Sequence, residues 1–518
     1  MKKIYFVLTM LAVLVLASCS KKQGAKLVPE DAIVVARMDL TQMMEKTGMK
    51  GDDSSLKQWV SKAIKDAGLD KEVREKILEI VDDPTATGID FTEPVYAYFA
   101  LEGDRETFGI VGSVASKDDI TDLLDMIADQ TRDLAVEEYS DGGVKYLQMD
   151  RSSAFIYNSD WFYIGAVQRD EDYDPDMDAT IDALLERADG KGSIEGNPAF
   201  EKMCEHQGLL QVGLFGSGID AIKGSQELAK YLPDNLELKD IAAMMELAVN
   251  DGEILATAEP LPVSTDWQEY IDKQMSTLKD IEEAQAKYIC DNGIVAFVNI
   301  STKNLYNRIK HYANSLGMSR SDKQQLEELK PLIDAFEGWA SLEVSGWSDE
   351  TMPPMKAYVG TKDRSVVDMV MAMQEDSALV AEQEQYIIPI DYDYDFDYDT
   401  GEYVKIPTQF AALGWKNKAT YLLLNCDDEP FKTSGHKFSK SDIKGVGAYA
   451  RISGKFVADA LRASEPYDDQ LWDAIEKLFD YAELYADNGA KLVARIAMNK
   501  KDKSPIVAIA EYVKKYLR

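Results

Sequence analysis

Apolar positions along this chain recur with two periods, and the periods alternate in a repeated order. From Ala32, "AIVVARMDLTQMMEK" opens as an apolar run and continues with helical spacing, and "GIVAFVNISTKNLYNRI" from Gly293 does the same. Weaker versions begin at Leu209, "LLQVGLFGSGIDAI", and at Gly445, "GVGAYARISGKFVADAL". Four strand-into-helix starts in two pairs mark an internal repeat.

The segments downstream of the two strong starts are repeated as well. "VYAYFALEGDRETFGIVGSVASKDDITDLLDMI" from Val95 reads as two strands about a polar turn, then a helix with Ile120, Leu123, Leu124 and Ile127 at i, i+3, i+4, i+7. "ASLEVSGWSDETMPPMKAYVGTKDRSVVDMVMAM" from Ala340 keeps that order, with Val366, Met369, Val370 and Met373 as its stripe. Ser116 and Asp363 stand where the helix N-caps belong. The pattern predicts an α+β fold of two duplicated halves, residues 31–265 and 292–518, with mainly antiparallel sheets covered by helices. Each half is expected to consist of strand-helix-hairpin-helix units plus a β-meander, with a connecting helix over 266–291. The second quarter departs from this scheme, because "EILATAEPLPVSTDWQEY" from Glu253 leaves little room for a second hairpin strand.

The meander of the second half contains "DYDYDFDYDTGEY", from Asp391 to Tyr403. Alternation with period two predicts a strand with Tyr392, Tyr394, Phe396 and Tyr398 on a covered face and Asp391 through Asp399 toward solvent. Same-face residues of a strand lie about 6.6 to 6.8 Å apart, too far for neighbouring carboxylates to meet one ion without a bend. Calcium-loop ligand positions are matched by Asp391, Asp393, Asp395, Asp399 and Glu402, but the turn glycine's place holds Phe396. An acidic strand is therefore expected and no metal ligand is assigned. Asp174, Asp176 and Asp178 precede a helix, where carboxylates favour its N-terminus.

The first residues change the picture of where the chain resides. Lys2 and Lys3, an apolar run from Ile4 to Ala17 and the ending "LASC" read as a secretion signal over 1–18, with Cys19 as a lipid-acceptor cysteine and 19–30 as a tether. The run is short of the roughly 20 residues a spanning helix needs. Several acyl chains hold a protein firmly, at about 0.8 kcal/mol per buried methylene. The membrane, reached through Cys19, is thus an expected partner.

Charge and motifs then narrow the function classes. With 57 basic and 92 acidic residues the chain carries −35, which argues against nucleic acid as a partner and against flat adhesion to anionic lipid. Cys204, Cys290 and Cys426 form neither a disulfide framework nor a metal spacing. His206, His311 and His436 lie far apart in sequence and form no helical pair for zinc. Ser217 in "LFGSGID" lacks the glycine spacing of a nucleophile elbow. The "DGKGSIEG" loop from Asp189 follows a helix and lacks the ending of a phosphate loop. No catalytic residue and no cofactor is assigned.

The "LASC" ending, the opening "LVPEDAIVVARMDLTQMMEKTG" and the duplicated layout resemble an uncharacterised lipoprotein family of Bacteroidota, classed as a domain of unknown function. The resemblance implies a compartment and an architecture, with no catalytic residues to carry over. In that group Lys21 and Lys22 after the cysteine point to the periplasmic face of the outer membrane. The favoured reading is a lipid-anchored, non-enzymatic interaction or scaffold protein of the cell envelope with an acidic surface. The alternative is a glycan- or divalent-cation-binding module using Trp161, Trp267, Trp339, Trp347 or Trp415 as stacking platforms, or the acidic tract. A hydrolase whose carboxylates the sequence does not reveal ranks third.

Overall fold

A computed structural model describes residues 23–49, 55–66, 71–102, 105–129, 134–169, 175–220, 225–229, 232, 235–286, 288, 293–315, 318–347, 353–372, 380–382, 385–397, 401–425, 445–464, 469–487 and 489–516. The chain divides into two compact units, residues 1–269 with 502–518, and residues 270–501. Both are α+β, and every strand pairing described within them is antiparallel.

The sheet strands of unit 1 are β1 (Ala32–Met38), β2 (Val95–Glu102), β3 (Arg105–Ser113), β4 (Val136–Glu138), β5 (Lys145–Gln148), β6 (Ser153–Tyr157), β7 (Trp161–Ala166), β8 (Leu210–Phe215), β9 (Ala242–Asn250) and β10 (Glu253–Pro260). Their spatial order is β10-β9-β8-β1-β2-β3-β7-β6-β5-β4. Unit 2 contains β11 (Ile294–Asn299), β12 (Phe336–Val344), β13 (Met355–Thr361), β14 (Val380–Glu382), β15 (Gln385–Asp397), β16 (Glu402–Lys416), β17 (Ala419–Leu424), β18 (Val446–Ser453), β19 (Phe479–Asp487) and β20 (Leu492–Met498). Its order is β20-β19-β18-β11-β12-β13-β17-β16-β15-β14, the unit 1 order with each strand advanced by ten.

The second quarter does form its hairpin, contrary to the sequence expectation. Its first strand is "AAMMELAVN", β9, and its second is β10, joined at Asp251 and Gly252 with Gly252 at φ 79°. The stretch assigned to the connecting helix holds helices Thr265–Met275 and Glu283–Ala286. The last helix, Pro505–Tyr516, belongs to unit 1, where it contacts helix Ser55–Asp66, and Ser504 donates to the Lys46 carbonyl at 2.5 Å.

Helices form where one apolar stripe meets a capping residue. Helix Lys117–Asp129 buries Ile120, Leu123, Leu124 and Ile127, the stripe read from the sequence, and Ser116 Oγ accepts from Asp119 N. Its counterpart Ser365–Ala372 buries Val367, while Val366, Met369 and Val370 are half-buried; Met373 lies outside the described residues. A two-turn helix that is apolar on nearly every side does not fix its face by period alone. One face of each sheet carries the aromatic core, formed in unit 2 by Phe297, Trp339, Tyr358, Tyr421 and Tyr449.

Candidate interaction surface

The acidic tract lies on β15, in the central hairpin of the unit 2 meander. In the same place in the strand order, β5 and β6 of unit 1 have 4 and 5 residues, whereas β15 and β16 have 13 and 15. The added length makes an arm. Register pairs Tyr392 with Pro407, Asp393 with Ile406, Tyr394 with Lys405, Asp395 with Val404, and Phe396 with Tyr403. Opposite residues of an antiparallel pair share a face, so one face carries the rings with Lys405 and the other carries the aspartates with Val404 and Ile406.

The expected covered ring face is not covered. Tyr394 is 61% exposed and Tyr403 71%, and Phe396, Val404, Ile406 and Phe410 are exposed as well. Period-two alternation specifies a strand but does not say what packs on it, and here the arm is too long for the sheet beneath it. The rings support one another instead: Phe396 meets Tyr403 edge-on at 5.2 Å, and Lys405 Nζ sits 5.3 Å and 5.8 Å from the ring centres of Tyr392 and Tyr394. Replacing Tyr394 and Phe396 together by Ala should therefore shift stability by less than about 1 kcal/mol, as for exposed sites. A thermal melt showing the roughly 3 to 5 kcal/mol loss of a buried ring would restore the covered face.

The carboxylates turn inward to local backbone. Asp391 Oδ1 accepts from Tyr392 N at 2.8 Å, Asp395 Oδ1 from Phe396 N at 2.8 Å, and Asp391 Oδ2 from Gln409 Nε2 at 3.3 Å. Among the described residues no group of three or more His, Cys, Asp or Glu side chains converges as a metal ion requires. Tyr398 and Asp399 lie outside the described residues. Strand β14 pairs with β15 only from Gln385 to Ile387, so among the described residues the outer edge of β15 beyond Ile387 has no partner strand.

The other sequence candidates are dispersed. Cys19, Cys290, Cys426, Asp174 and His436 lie outside the described residues. Trp161 and Trp339 are buried, Trp267 and Trp415 half-buried, and Trp347 is exposed with its ring edge-on to Phe456 at 6.3 Å. Asp176 caps helix Met177–Ala188 by accepting from Ala179 N at 2.9 Å. The loop after that helix ties back to the start of the chain, with Ile194 N donating to Val28 O and Glu30 N to Gly192 O. His206 stands beside two carboxylates that sequence reading missed, Glu246 Oε2 at 3.3 Å and Glu259 Oε1 at 3.9 Å. Forty residues of separation hide such a pair from a sequence pattern. Unit 2 also holds a pocket of about 500 Å³ that mixes Lys279, Lys362 and Lys418 with Glu282 and Glu337. Among the described residues no helix is long and apolar enough to cross a membrane.

Comparison with known proteins gives a family and little more. The model of a domain of unknown function, DUF4836, matches residues 25–457. A search of curated proteins finds no match. Among solved structures, the one described as "Structure of crystal form I of TP0453" is similar at 14% identity, covering 51% of this chain and 88% of that one with a TM-score of 0.26.

Proposed function

We propose, from the premise that this chain belongs to the DUF4836 family, that it is a lipid-anchored interaction protein of the bacterial cell envelope whose acidic arm engages a protein partner. The single observation behind this reading is the arm, a hairpin exposed on both faces and long only in unit 2. Its exposed rings offer apolar contact area, and its free edge offers backbone donors and acceptors to an added strand. A second copy is a poor occupant, because edge-to-edge pairing would set Asp391, Asp393 and Asp395 against their own kind. A basic strand or loop fits that edge. The shared strand order of the two units supports internal duplication, with the long arm in one half.

The anchor rests on the "LASC" ending and Cys19, and Lys21 with Lys22 favours the periplasmic face of the outer membrane. Both parts are tested in cells. Cys19→Ala should move the protein from the membrane fraction to the soluble one, and unchanged retention would remove the anchor from the proposal. A photo-crosslinking phenylalanine at Tyr394 or Tyr403 should give a discrete heavier adduct. The same group at Phe108, exposed in unit 1, should give none. Absence of adducts from the arm would overturn the partner reading.

A further inference from the structure

The unit 2 cavity of about 500 Å³ has a filled counterpart in unit 1, and the difference between them is chemical. Asp39 and Ser301 cap the helices that follow β1 and β11, accepting from Gln42 N and Asn304 N. With those caps matched, the strand registers set Asn299 in the place of Arg37, Trp339 in that of Tyr96, and Asn417 in that of Trp161. Unit 1 packs this place. Trp161 is 2% exposed within the core, and the Arg37 guanidinium donates to Gln211 Oε1 at 2.7 Å and to the His206 carbonyl. Unit 2 has the shorter Asn299 and Asn417 there, and both line open space.

Two nearly buried amides on the cavity wall are only half satisfied. Asn299, 3% exposed, donates through Nδ2 to the Asp280 carbonyl at 2.6 Å and to Gln285 Oε1 at 3.3 Å. Gln285, 7% exposed, also accepts from Glu282 N on that oxygen at 2.8 Å. Among the described residues, Asn299 Oδ1 and Gln285 Nε2 have no partner. Buried side-chain amides ordinarily satisfy both ends, so an acceptor and a donor left over in one cavity suit a ligand with hydroxyls, which do both.

The rest of the lining supplies charge. Lys279, Lys362 and Lys418 stand with Glu282 and Glu337, a surplus of one positive charge in a chain of −35. Lys279 and Lys418 form no ion pair among the described residues, and Lys362 spends one of its three N–H donors on the Asp334 carbonyl. Asn417 and Lys418 make the two-residue turn between β16 and β17, at φ 54° and 60°. Glycine is the usual second residue of such a turn, and lysine holds the place here at a backbone cost.

Charge and hydrogen bonding together select the ligand. Phosphate or sulfate offers almost only acceptors and would face Glu282 and Glu337 with nothing to donate. A neutral sugar would leave the ammoniums unused. A hydroxylated monoanion answers both: its carboxylate meets the lysines, while its hydroxyls donate to Asn299 Oδ1 and the two glutamates and accept from Gln285 Nε2. The volume lies inside the roughly 300 to 1,000 Å³ of small-molecule sites. We infer that this cavity is a binding site for a sugar acid of the uronic acid class.

The test is a ligand-detected NMR titration of the full chain with glucuronate and with galacturonate, compared with glucose and inorganic phosphate. At least one uronate should bind saturably, with glucose and phosphate weaker by about tenfold or more, as when a charge-assisted hydrogen bond is lost. Lys279→Ala with Lys418→Gly should weaken uronate binding by about tenfold or more. Both side chains are exposed and glycine suits the turn, so the double variant should keep an unchanged or raised thermal midpoint. No saturable binding of either uronate, or equal binding by the folded double variant, would overturn the site. So would phosphate bound as tightly as the uronates, since the hydroxyls would then contribute nothing.

Discussion

Truncating Trp339 to Ala should lower the stability of unit 2 by about 3 to 5 kcal/mol, the range for a large buried ring. The indole is 6% exposed and lies in a stack, 4.7 Å from the Tyr288 ring centre and 6.0 Å from that of Phe297 at an interplanar angle of only 4°. Tyr288 is itself buried, which pushes its phenol up to about 12 and keeps it neutral. The stack is closed beneath by Gly360, where a Cβ would stand 2.2 Å from the indole Nε1. Gly360→Ala should therefore cost about 1 to 3 kcal/mol by overpacking. The two changes should not add. With Trp339 already Ala, the methyl at 360 meets no ring, so the double variant should fall close to Trp339→Ala alone. Urea unfolding of the four proteins reads this directly, and a simple sum would mean that the ring does not rest on Gly360.

Which parts of the fold were legible depended on whether an element had one apolar face or two. Helix Lys117–Asp129 was readable because its stripe faces a core on one side and water on the other. Strand β9 was missed because "AAMMELAVN" is apolar on both faces: Met244 turns to the core, and Met245, 53% exposed, to the other side. A continuous apolar run loses the period that separates strand from helix. The arm misled in the opposite way. Its alternation named the strand correctly, but burial depends on how far β15 and β16 outrun their neighbours, and β17 has only 6 residues beside the 15 of β16. Strand order was not legible from local pattern, since it depends on which edges pair. Repetition of the order "strand, helix, hairpin, helix" still makes the two halves comparable from the sequence alone.

The buried charges of the core face carry the other large effect. Across the sheet, Lys356, Glu343, Val295, Arg451, Glu483 and Arg495 follow one another in register, so the signs alternate on either side of a valine. Glu483 is 9% exposed and accepts from Arg495 at 2.7 Å and from the Tyr449 hydroxyl at 2.9 Å. Arg451 lies 3.8 Å from the ring centre of Tyr481. Glu483→Ala would leave Arg451 and Arg495 flanking an empty position and Tyr449 with a buried hydroxyl, a loss of about 3 kcal/mol or more by analogy with broken buried pairs. Arg495 is 31% exposed on its side chain, so water screens part of that repulsion. Glu483→Gln keeps an acceptor and should lose less. The Tyr449 hydroxyl also makes stability pH-dependent. Burial first, and then the Glu483 charge, push the Tyr449 phenol far above its ordinary value of 10.0. A raised folded value means stability is fully present below about pH 10 and falls above it, because the unfolded chain ionises first. Burial, the larger cause, remains in Glu483→Ala, so parent and variant should both lose stability as pH climbs past 10. Chemical denaturation at pH 8 and pH 11 measures the two losses, and a parent equally stable at both would show that its Tyr449 phenol is not held above the ordinary value.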